Sequence, residues 1–391
     1  MKNIFSFIII SFILNLGFSQ NLDSLNITKI NDTIFSKFLN KERSIEIQLP
    51  RSFNENDEKK FPLVIVLDGD YMFNMVSGSI DYLSYWGDIP ENIVVGIKQN
   101  ETRYKDVSVL DNINNTPITS TLSFYNFIEN ELIPYISKNY RGSTFRIIIG
   151  QERTANFINF FLLKENPIIR GYISVSPKFS KNMDKYLIQK LNNTKNKVLY
   201  VISSSKNDFK SIYEDVLDTS KSLDSIKNKN VKFKSFIFNN ENHYVVPSVS
   251  IPSSIRSLYS IYSDIDRIEY DSIISKLEIS PLDYLLNKYE LIKDFYDIEK
   301  RISINDFMAI EEYIELNEMY EFFDDLSKLA IQEYPQTILP SYYKGRFYEE
   351  TGNPRKAMHI YRSAYNMDNV SGLTKDYLIE LADKIKSDFN F

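Results

Sequence analysis

Short, mostly apolar runs recur along the first two thirds of the sequence. They cover residues 63–67, 93–97, 145–149, 172–175 and 198–202. A run of this length and composition is typical of a strand that is covered on both faces, as the strands of a parallel sheet are. We therefore expect these runs to form one parallel sheet.

The segments around these runs have other periods. Residues 44–49 alternate between apolar and polar side chains, which indicates a half-exposed strand, and residues 231–238 add a last strand. Residues 124–137 instead place apolar side chains three and four positions apart on one helical face, and a second helical pattern covers residues 155–164. Strands that alternate with helices predict a doubly wound, mostly parallel α/β sheet.

The last third of the sequence, residues 267–391, has a helical pattern and no predicted strand. Within it, residues 338–371 carry small and aromatic side chains at the spacings of a tetratricopeptide repeat. These side chains lie in residues 341–348 and at Gly352, Ala357, Tyr361 and Ala364. One repeat earlier, Ala330 and Pro335 fit the closing positions of a weaker unit, and Pro335 and Pro340 bracket a helix–helix junction. The pattern predicts a small all-α, tetratricopeptide-like domain.

Helix pairs of this kind bury their apolar faces only against neighbours. The predicted tail therefore has to pack on itself, on the α/β domain or on a partner. Binding of a partner protein and bracing of the α/β domain are both consistent with the pattern.

Residues 1–19 have the features of a cleaved secretion signal. Lys2 precedes an apolar stretch from Ile4 to Phe18, and Gly17 and Ser19 are spaced as a signal-peptidase site. The alternative, an N-terminal membrane anchor, would need about 20 apolar residues. We expect an exported mature chain without a membrane span, located in a periplasm or secreted.

Composition restricts the possible chemistry. The chain has 46 basic and 52 acidic residues with both signs mixed along it, which does not indicate nucleic-acid binding. It has no cysteine, which excludes disulfides, a cysteine nucleophile and thiolate metal sites. The two histidines, His243 and His359, are far apart in the sequence, so no metal-ligand spacing is recognisable. We expect neither a metal nor a cofactor.

Residues 147–155 join a predicted strand to a predicted helix, which is where an α/β-hydrolase carries its G-x-S-x-G nucleophile elbow. Other motifs surround this segment in a matching order. They are residues 61–69 (FPLVIVLDG), 95–97, 127–135 leading to 139–141, 174–177 (SVSP) and the late His243. On these motifs, residues 45–260 resemble the putative esterase family, which includes enterochelin esterases and S-formylglutathione hydrolase. The resemblance implies an α/β-hydrolase domain over residues 20–266.

The resemblance also implies a serine esterase with a triad in the order serine, acid and histidine. In this sequence Glu152 occupies the serine position, and a carboxylate cannot be turned into the attacking alkoxide by an imidazole. The second glycine of the motif is replaced by Thr154, followed by Ala155. Because the strained elbow needs very small residues, we expect a regular strand-to-helix turn in its place.

His243 follows the last predicted strand, where the resemblance places the catalytic base. We interpret it as the base or the remnant of one, and a loop histidine without a catalytic role is the alternative. The acid should follow the strand that ends near Ser203. Asp208 is the candidate acid, with Glu214 and Asp215 as further possibilities.

The resemblance also implies a backbone oxyanion hole. Its amides would come from Arg153, which follows the nucleophile position, and from the loop at Gly69 and Asp70. Without a nucleophile such donors would bind an anion or a carbonyl group. We further expect Glu152 and His243 to form an ion pair across the site.

The exchange at Glu152 makes a non-catalytic protein the leading hypothesis. Such an exported scaffold would bind an unknown small ester-like ligand or a protein of the cell envelope. The alternative is a carboxylic-ester hydrolase with an atypical site of Glu152 and His243, in which Glu152 is the nucleophile, as an aspartate is in dehalogenase-type relatives, or the base for a water. A third possibility is an envelope assembly factor that binds its partner through the helical tail.

Overall fold

The computed structural model describes residues 27–109 and 117–391. The predicted secretion signal, residues 1–19, lies outside these ranges. The chain divides into two compact units, the first ending at Leu258 and the second beginning at Tyr259. The boundary expected from the sequence, residue 266, lies inside the second unit.

The first unit contains an eight-stranded sheet. The strands are β1 (Lys29–Ser36), β2 (Lys41–Gln48), β3 (Phe61–Val66), β4 (Ile93–Ile97), β5 (Gly142–Gln151), β6 (Gly171–Val175), β7 (Val198–Asn207) and β8 (Val231–Asn242). Their spatial order is β1-β2-β4-β3-β5-β6-β7-β8. β2 pairs antiparallel with β1 and β4, whereas β4, β3 and β5 to β8 run parallel. The predicted doubly wound, mostly parallel α/β fold is confirmed.

The central strands explain why the apolar runs predicted the sheet. Every residue of β3, β4 and β6 is buried, so these strands have no solvent-facing positions to fill with polar side chains. β1 was not predicted from the sequence. It is the edge strand, and most of its side chains are exposed or half-buried, so it shows no apolar run.

Helices connect the strands of this unit. They are α1 (Gly69–Tyr85), α2 (Arg103–Val107), α3 (Thr119–Phe127), α4 (Ile133–Tyr140), α5 (Arg153–Phe157), α6 (Asn159–Leu163), α7 (Met183–Asn193), α8 (Lys210–Asp224) and α9 (Val246–Leu258). A π-helical segment, Ile128–Leu132, joins α3 to α4, so the predicted helix 124–137 is part of a longer helical run. The predicted helix 155–164 is instead two short helices, α5 and α6, that meet at Ile158.

The second unit is helical, as predicted for the tail. Its helices are α10 (Arg267–Ser272), α11 (Pro281–Tyr296), α12 (Ile304–Leu316), α13 (Phe322–Glu333), α14 (Leu339–Glu350), α15 (Pro354–Ser363) and α16 (Lys375–Phe389). The repeat-like residues 338–371 cover α14 and α15, and the predicted proline-bracketed junction lies between α13 and α14. Tyr343 stacks against Phe307 and Phe323, so aromatic rings from three helices meet within the core of this unit. Within the two described ranges, no helix combines the length and apolar character that a membrane crossing requires.

Candidate active site

Five side chains follow the carboxyl ends of parallel strands and define the candidate site. Asp68 comes after β3, Arg103 after β4, Glu152 after β5, Asp208 after β7 and His243 after β8. Parallel strands of one sheet end at the same edge, and α/β proteins place their ligands at that edge. The topology therefore collects these residues from a long stretch of sequence.

Glu152 has the backbone of a nucleophile elbow. Its φ and ψ are 53° and −107°, a conformation that few residues other than glycine adopt. The expected regular turn is therefore wrong: the strained turn is kept. Gly150 makes it possible, because a Cβ there would lie 2.6 Å from the carbonyl carbon of Thr154.

Thr154 fits the turn although the motif has glycine at this position. Its hydroxyl accepts a 2.8 Å hydrogen bond from the amide of Gln151 and lies 2.7 Å from a carboxylate oxygen of Asp68. Thr154 and Asp68 are both buried. The extra side chain is accommodated because its hydroxyl forms hydrogen bonds with the buried Asp68 carboxylate and the Gln151 amide.

Arg103 joins the two carboxylates of this region. Its guanidinium donates to Asp68 through Nε at 2.6 Å and Nη2 at 3.2 Å, and to Glu152 Oε2 through Nη1 at 3.1 Å. Nη2 also lies 3.0 Å from the carbonyl oxygen of Gln151. Burial opposes the charge of Arg103, but the hydrogen bonds and charge of Asp68, with Tyr71 and Glu152, raise the pKa of the guanidinium above its usual value. The negative charge introduced by Glu152 is thus compensated.

The predicted ion pair between Glu152 and His243 is wrong. The carboxylate of Glu152 pairs with Arg103 and lies 3.9 Å from the Nε of Arg153. The guanidinium of Arg153 is 5.3 Å from the ring centre of Tyr104. The two cations close to the Glu152 carboxylate are therefore Arg103 and Arg153, and not the imidazole of His243.

His243 instead contacts Asp208. Its Nδ1 lies 2.7 Å from Asp208 Oδ1, and the other oxygen of Asp208 accepts from Ser176 at 2.5 Å and Ser204 at 2.9 Å. Burial raises the pKa of Asp208, but the hydrogen bonds from His243, Ser176, Ser204 and the amide of Phe209 outweigh it and lower the pKa below its usual value. An ionised Asp208 would hold the imidazole of His243 in one orientation, as the acid of a triad does.

The other two candidate acids lie away from the imidazole, on α8. Glu214 is 3.8 Å from Lys210, an exposed pair one helical turn apart. Burial, together with Asp184, Asp218 and Glu214, raises the pKa of Asp215. Of the three carboxylates considered from the sequence, Asp208 is the one brought to His243.

The predicted oxyanion residues Gly69 and Asp70 begin α1. A Cβ on Gly69 would lie 2.8 Å from backbone atoms of Gly96 and Ile97, so glycine is needed for α1 to approach β4. The Asp70 carboxylate accepts from the amides of Gln99 at 2.6 Å and Asn100 at 2.9 Å, which fixes the loop after β4. These contacts assign packing and loop-holding roles to both residues, and their part in an oxyanion hole stays a prediction.

The comparisons with known proteins agree with this geometry. The sequence profile of the family described as Putative esterase matches residues 36–156, a segment that ends in the elbow. The resemblance of this chain to the putative esterases is confirmed. None of the curated proteins has a matching sequence. This chain therefore has the strand-to-helix turn expected from the family it resembles, with a glutamate at the tip.

Solved structures extend the likeness beyond this segment. An uncharacterised protein from Capnocytophaga ochracea has a TM-score of 0.79 at 24% identity, with 92% of this chain and 100% of that chain covered. An IroE-like serine hydrolase from Shewanella oneidensis has a TM-score of 0.57 at 18% identity over 76% of this chain and 96% of its own. The BES protein from Bacillus cereus has a TM-score of 0.52 at 22% identity, with 59% of this chain and 94% of that chain covered. At these identities the matches establish the fold, and the first of them includes parts of both units.

Proposed function

We propose that the esterase-like unit is a binding protein that does not hydrolyse its ligand. The observation that carries this proposal is the Arg103–Glu152 contact at the tip of the elbow. A serine at this position would offer a hydroxyl that an imidazole can deprotonate. Glu152 offers a carboxylate whose charge is already engaged by a guanidinium, which makes it a weak nucleophile toward an ester carbonyl.

The ligand class follows from the surroundings of the elbow. Four exposed aromatic side chains stand next to residues of the site in the sequence or in space: Tyr71, Tyr104, Phe209 and Tyr244. Arg153, 39% exposed in its side chain, adds a cation on this rim. Aromatic and guanidinium groups around a polar centre suit a small ester-like ligand, and a protein of the cell envelope is the other candidate.

The direct test is turnover. Purified chain is incubated with short-chain aryl esters and thioesters, and the rate is compared with that of a Glu152→Ala variant. We expect equal rates, together with a retained small molecule when the native protein is analysed by mass spectrometry. A wild-type rate well above that of Glu152→Ala would overturn the proposal, because hydrolysis would then depend on the carboxylate.

A second candidate function is favoured by the Asp208–His243 contact. An intact acid–histidine pair is what a hydrolase needs to activate a nucleophile or a water. In this alternative the chain hydrolyses carboxylic esters, with Glu152 as nucleophile or as base for a water. Mass spectrometry after incubation with a slow ester distinguishes the two routes, since only a nucleophilic Glu152 carries a covalent adduct.

We also propose that the protein is exported and acts in the cell envelope. The support is the signal-like pattern of residues 1–19. Expression of the full sequence followed by fractionation and N-terminal mass spectrometry tests it. The expected product begins at Gln20 and is found outside the cytoplasm, whereas an intact Met1 in the cytoplasmic fraction would contradict export.

A further inference from the structure

The helical unit contains a groove that the esterase-like site does not explain. It has a volume of about 550 Å³ and is formed by residues of α10, α12 and α14, with the loop before α16 and the first turn of that helix. The volume falls in the range of pockets that hold drug-sized ligands or short peptide segments, about 300–1,000 Å³. All of its lining residues belong to the helical unit.

The groove has an uneven charge. Four carboxylates line it, from Asp266, Glu311, Glu312 and Glu315, against one guanidinium, from Arg267. Arg267 lies 3.0 Å from Asp271 and 3.5 Å from Glu312, and Arg346 of α14 pairs with Glu315 at 2.8 Å. Among the described residues, Asp266 and Glu311 have no salt bridge. The walls therefore carry more negative than positive charge, which favours a cationic occupant over a neutral or anionic one.

Glu311 is the best-defined of these acids. Tyr342 and Tyr343 donate to its two carboxylate oxygens, so the side chain is held in place by phenols. In the described parts of the chain no cation lies within 4 Å of it, although the charge of Arg346, which pairs with Glu315, acts on it from farther away. Burial raises the pKa of Glu311, with hydrogen bonds from Tyr342 acting in the opposite direction. A fixed, partly desolvated carboxylate interacts more strongly with a positive charge than an exposed one does.

Aromatic rings complete the groove. Tyr270, Tyr342 and Tyr377 line it, and Tyr377, 43% exposed, is the ring open to an occupant. Tyr270 and Tyr342 are buried, and Arg267 already lies over the ring of Tyr270. Tyrosine faces attract ammonium and guanidinium groups. Carboxylates beside aromatic rings are thus suited to the side chains of lysine and arginine.

We propose that this groove binds a basic polypeptide segment of a partner protein, with lysine or arginine side chains placed against Glu311, Glu312 and the exposed ring of Tyr377. A polypeptide fits better than a small cation because the carboxylates are spread along the groove and do not converge on one point. Glu311, Glu312 and Glu315 span about one turn of α12, and Asp266 adds a carboxylate at the start of α10. An extended segment can place two basic side chains on such a surface, whereas one small cation can reach only part of it.

Fluorescence anisotropy with labelled nine-residue peptides tests the proposal on the full mature chain. One peptide contains three arginines spaced by glycine and serine, and in a second each arginine is replaced by glutamine. Unlabelled spermidine and free arginine serve as competitors. We expect the arginine peptide to bind and the glutamine peptide not to bind, with spermidine and arginine competing only at much higher concentration than the unlabelled peptide.

Three variants separate the groove from general attraction to an acidic protein. Glu311→Gln and Glu312→Gln each remove one charge from the groove, and Glu290→Gln removes the same charge from an exposed position on α11. We expect about a tenfold loss of affinity for each groove variant, the effect of roughly 1.4 kcal/mol, and little change for Glu290→Gln. Circular dichroism confirms folding, and Glu312, which lies at the exposed rim, remains informative if Glu311→Gln perturbs the tyrosines.

Three results would overturn the proposal. The arginine peptide could fail to bind, which would exclude a basic occupant. All three variants could weaken binding equally, which would assign the attraction to net charge. Spermidine could compete as well as the unlabelled peptide, which would make the groove a site for small cations.

Discussion

His243 Nδ1 lies 2.7 Å from Asp208 Oδ1. In a serine esterase such a pair activates the serine of the elbow, and in this chain that position is occupied by Glu152. Ser176, Ser204 and the amide of Phe209 complete the hydrogen bonds of Asp208, so both of its carboxylate oxygens are held. The elbow backbone is also kept. At the elbow, the departure from the expected motif thus lies in the side chain of residue 152 and not in its backbone conformation.

This relationship predicts that a serine can restore activity. In Glu152→Ser the hydroxyl would sit on the kept elbow, with His243 oriented by Asp208. We expect kcat/KM for an aryl ester to exceed that of Glu152→Ala by about tenfold or more, since positioned general bases contribute about 10²-fold or more. The double variant Glu152→Ser/His243→Ala should return to the background rate. A folded Glu152→Ser protein no faster than Glu152→Ala would show that the histidine cannot reach the elbow.

Arg103 should be important for stability. Replacing it by methionine leaves the buried Asp68 without its cation and removes the charge that compensates Glu152. Because one carboxylate is buried and the other partly exposed, we expect a loss of about 2–4 kcal/mol in the free energy of unfolding. Urea denaturation measures it.

Arg256→Met is the control for Arg103→Met, since Arg256 is 60% exposed and 3.9 Å from Asp88. It should cost less than about 1 kcal/mol. Adding Glu152→Gln to Arg103→Met should recover part of the loss, because one of the two uncompensated charges is then gone. Equal effects of the two arginine variants would contradict a special role for Arg103.

The sequence predicted the sheet well and parts of the site poorly, for physical reasons. Fully buried parallel strands such as β3 and β4 leave a continuous apolar run, while the edge strand β1 does not. Arg103 lies 49 residues before Glu152, in a helix of five residues, and no local pattern marks it. Charge was the signal that could have indicated it. A carboxylate at the elbow close to a second carboxylate, Asp68, requires a cation nearby, and Arg103 supplies it.

The elbow keeps its strained shape although Thr154 replaces a glycine of the motif. Gly150 supplies the space on the strand side, and the Thr154 hydroxyl bonds to Gln151 and Asp68. A side chain that satisfies buried polar groups can replace a glycine where the backbone angles at that position are helical. Such compensation depends on contacts that are distant in the sequence.

Asp208 should make stability depend on pH. Its pKa is lowered in the folded chain, so its contribution is fully present above the unfolded-state pKa, about 3.9, and is lost as pH falls through the folded-state value. Asp208→Asn should therefore cost about 1–3 kcal/mol at neutral pH, with a smaller difference from wild type in acid. Urea denaturation across this pH range checks it. Asp218→Asn, at an exposed position, should show no such pH-dependent difference.

Gly150 and Gly78 offer a matched pair of glycine-to-alanine changes. At Gly150 the new Cβ would lie 2.6 Å from the backbone of Thr154, while at Gly78, an exposed position in α1, nothing lies within 4 Å. Gly150→Ala should therefore destabilise the fold by about 1–3 kcal/mol through overpacking. Gly78→Ala should stabilise it by about 0.5–1 kcal/mol, because alanine is the better helix former. Thermal unfolding compares them, and a neutral Gly150→Ala would mean that the elbow can relax, which removes the reason to expect activity from Glu152→Ser.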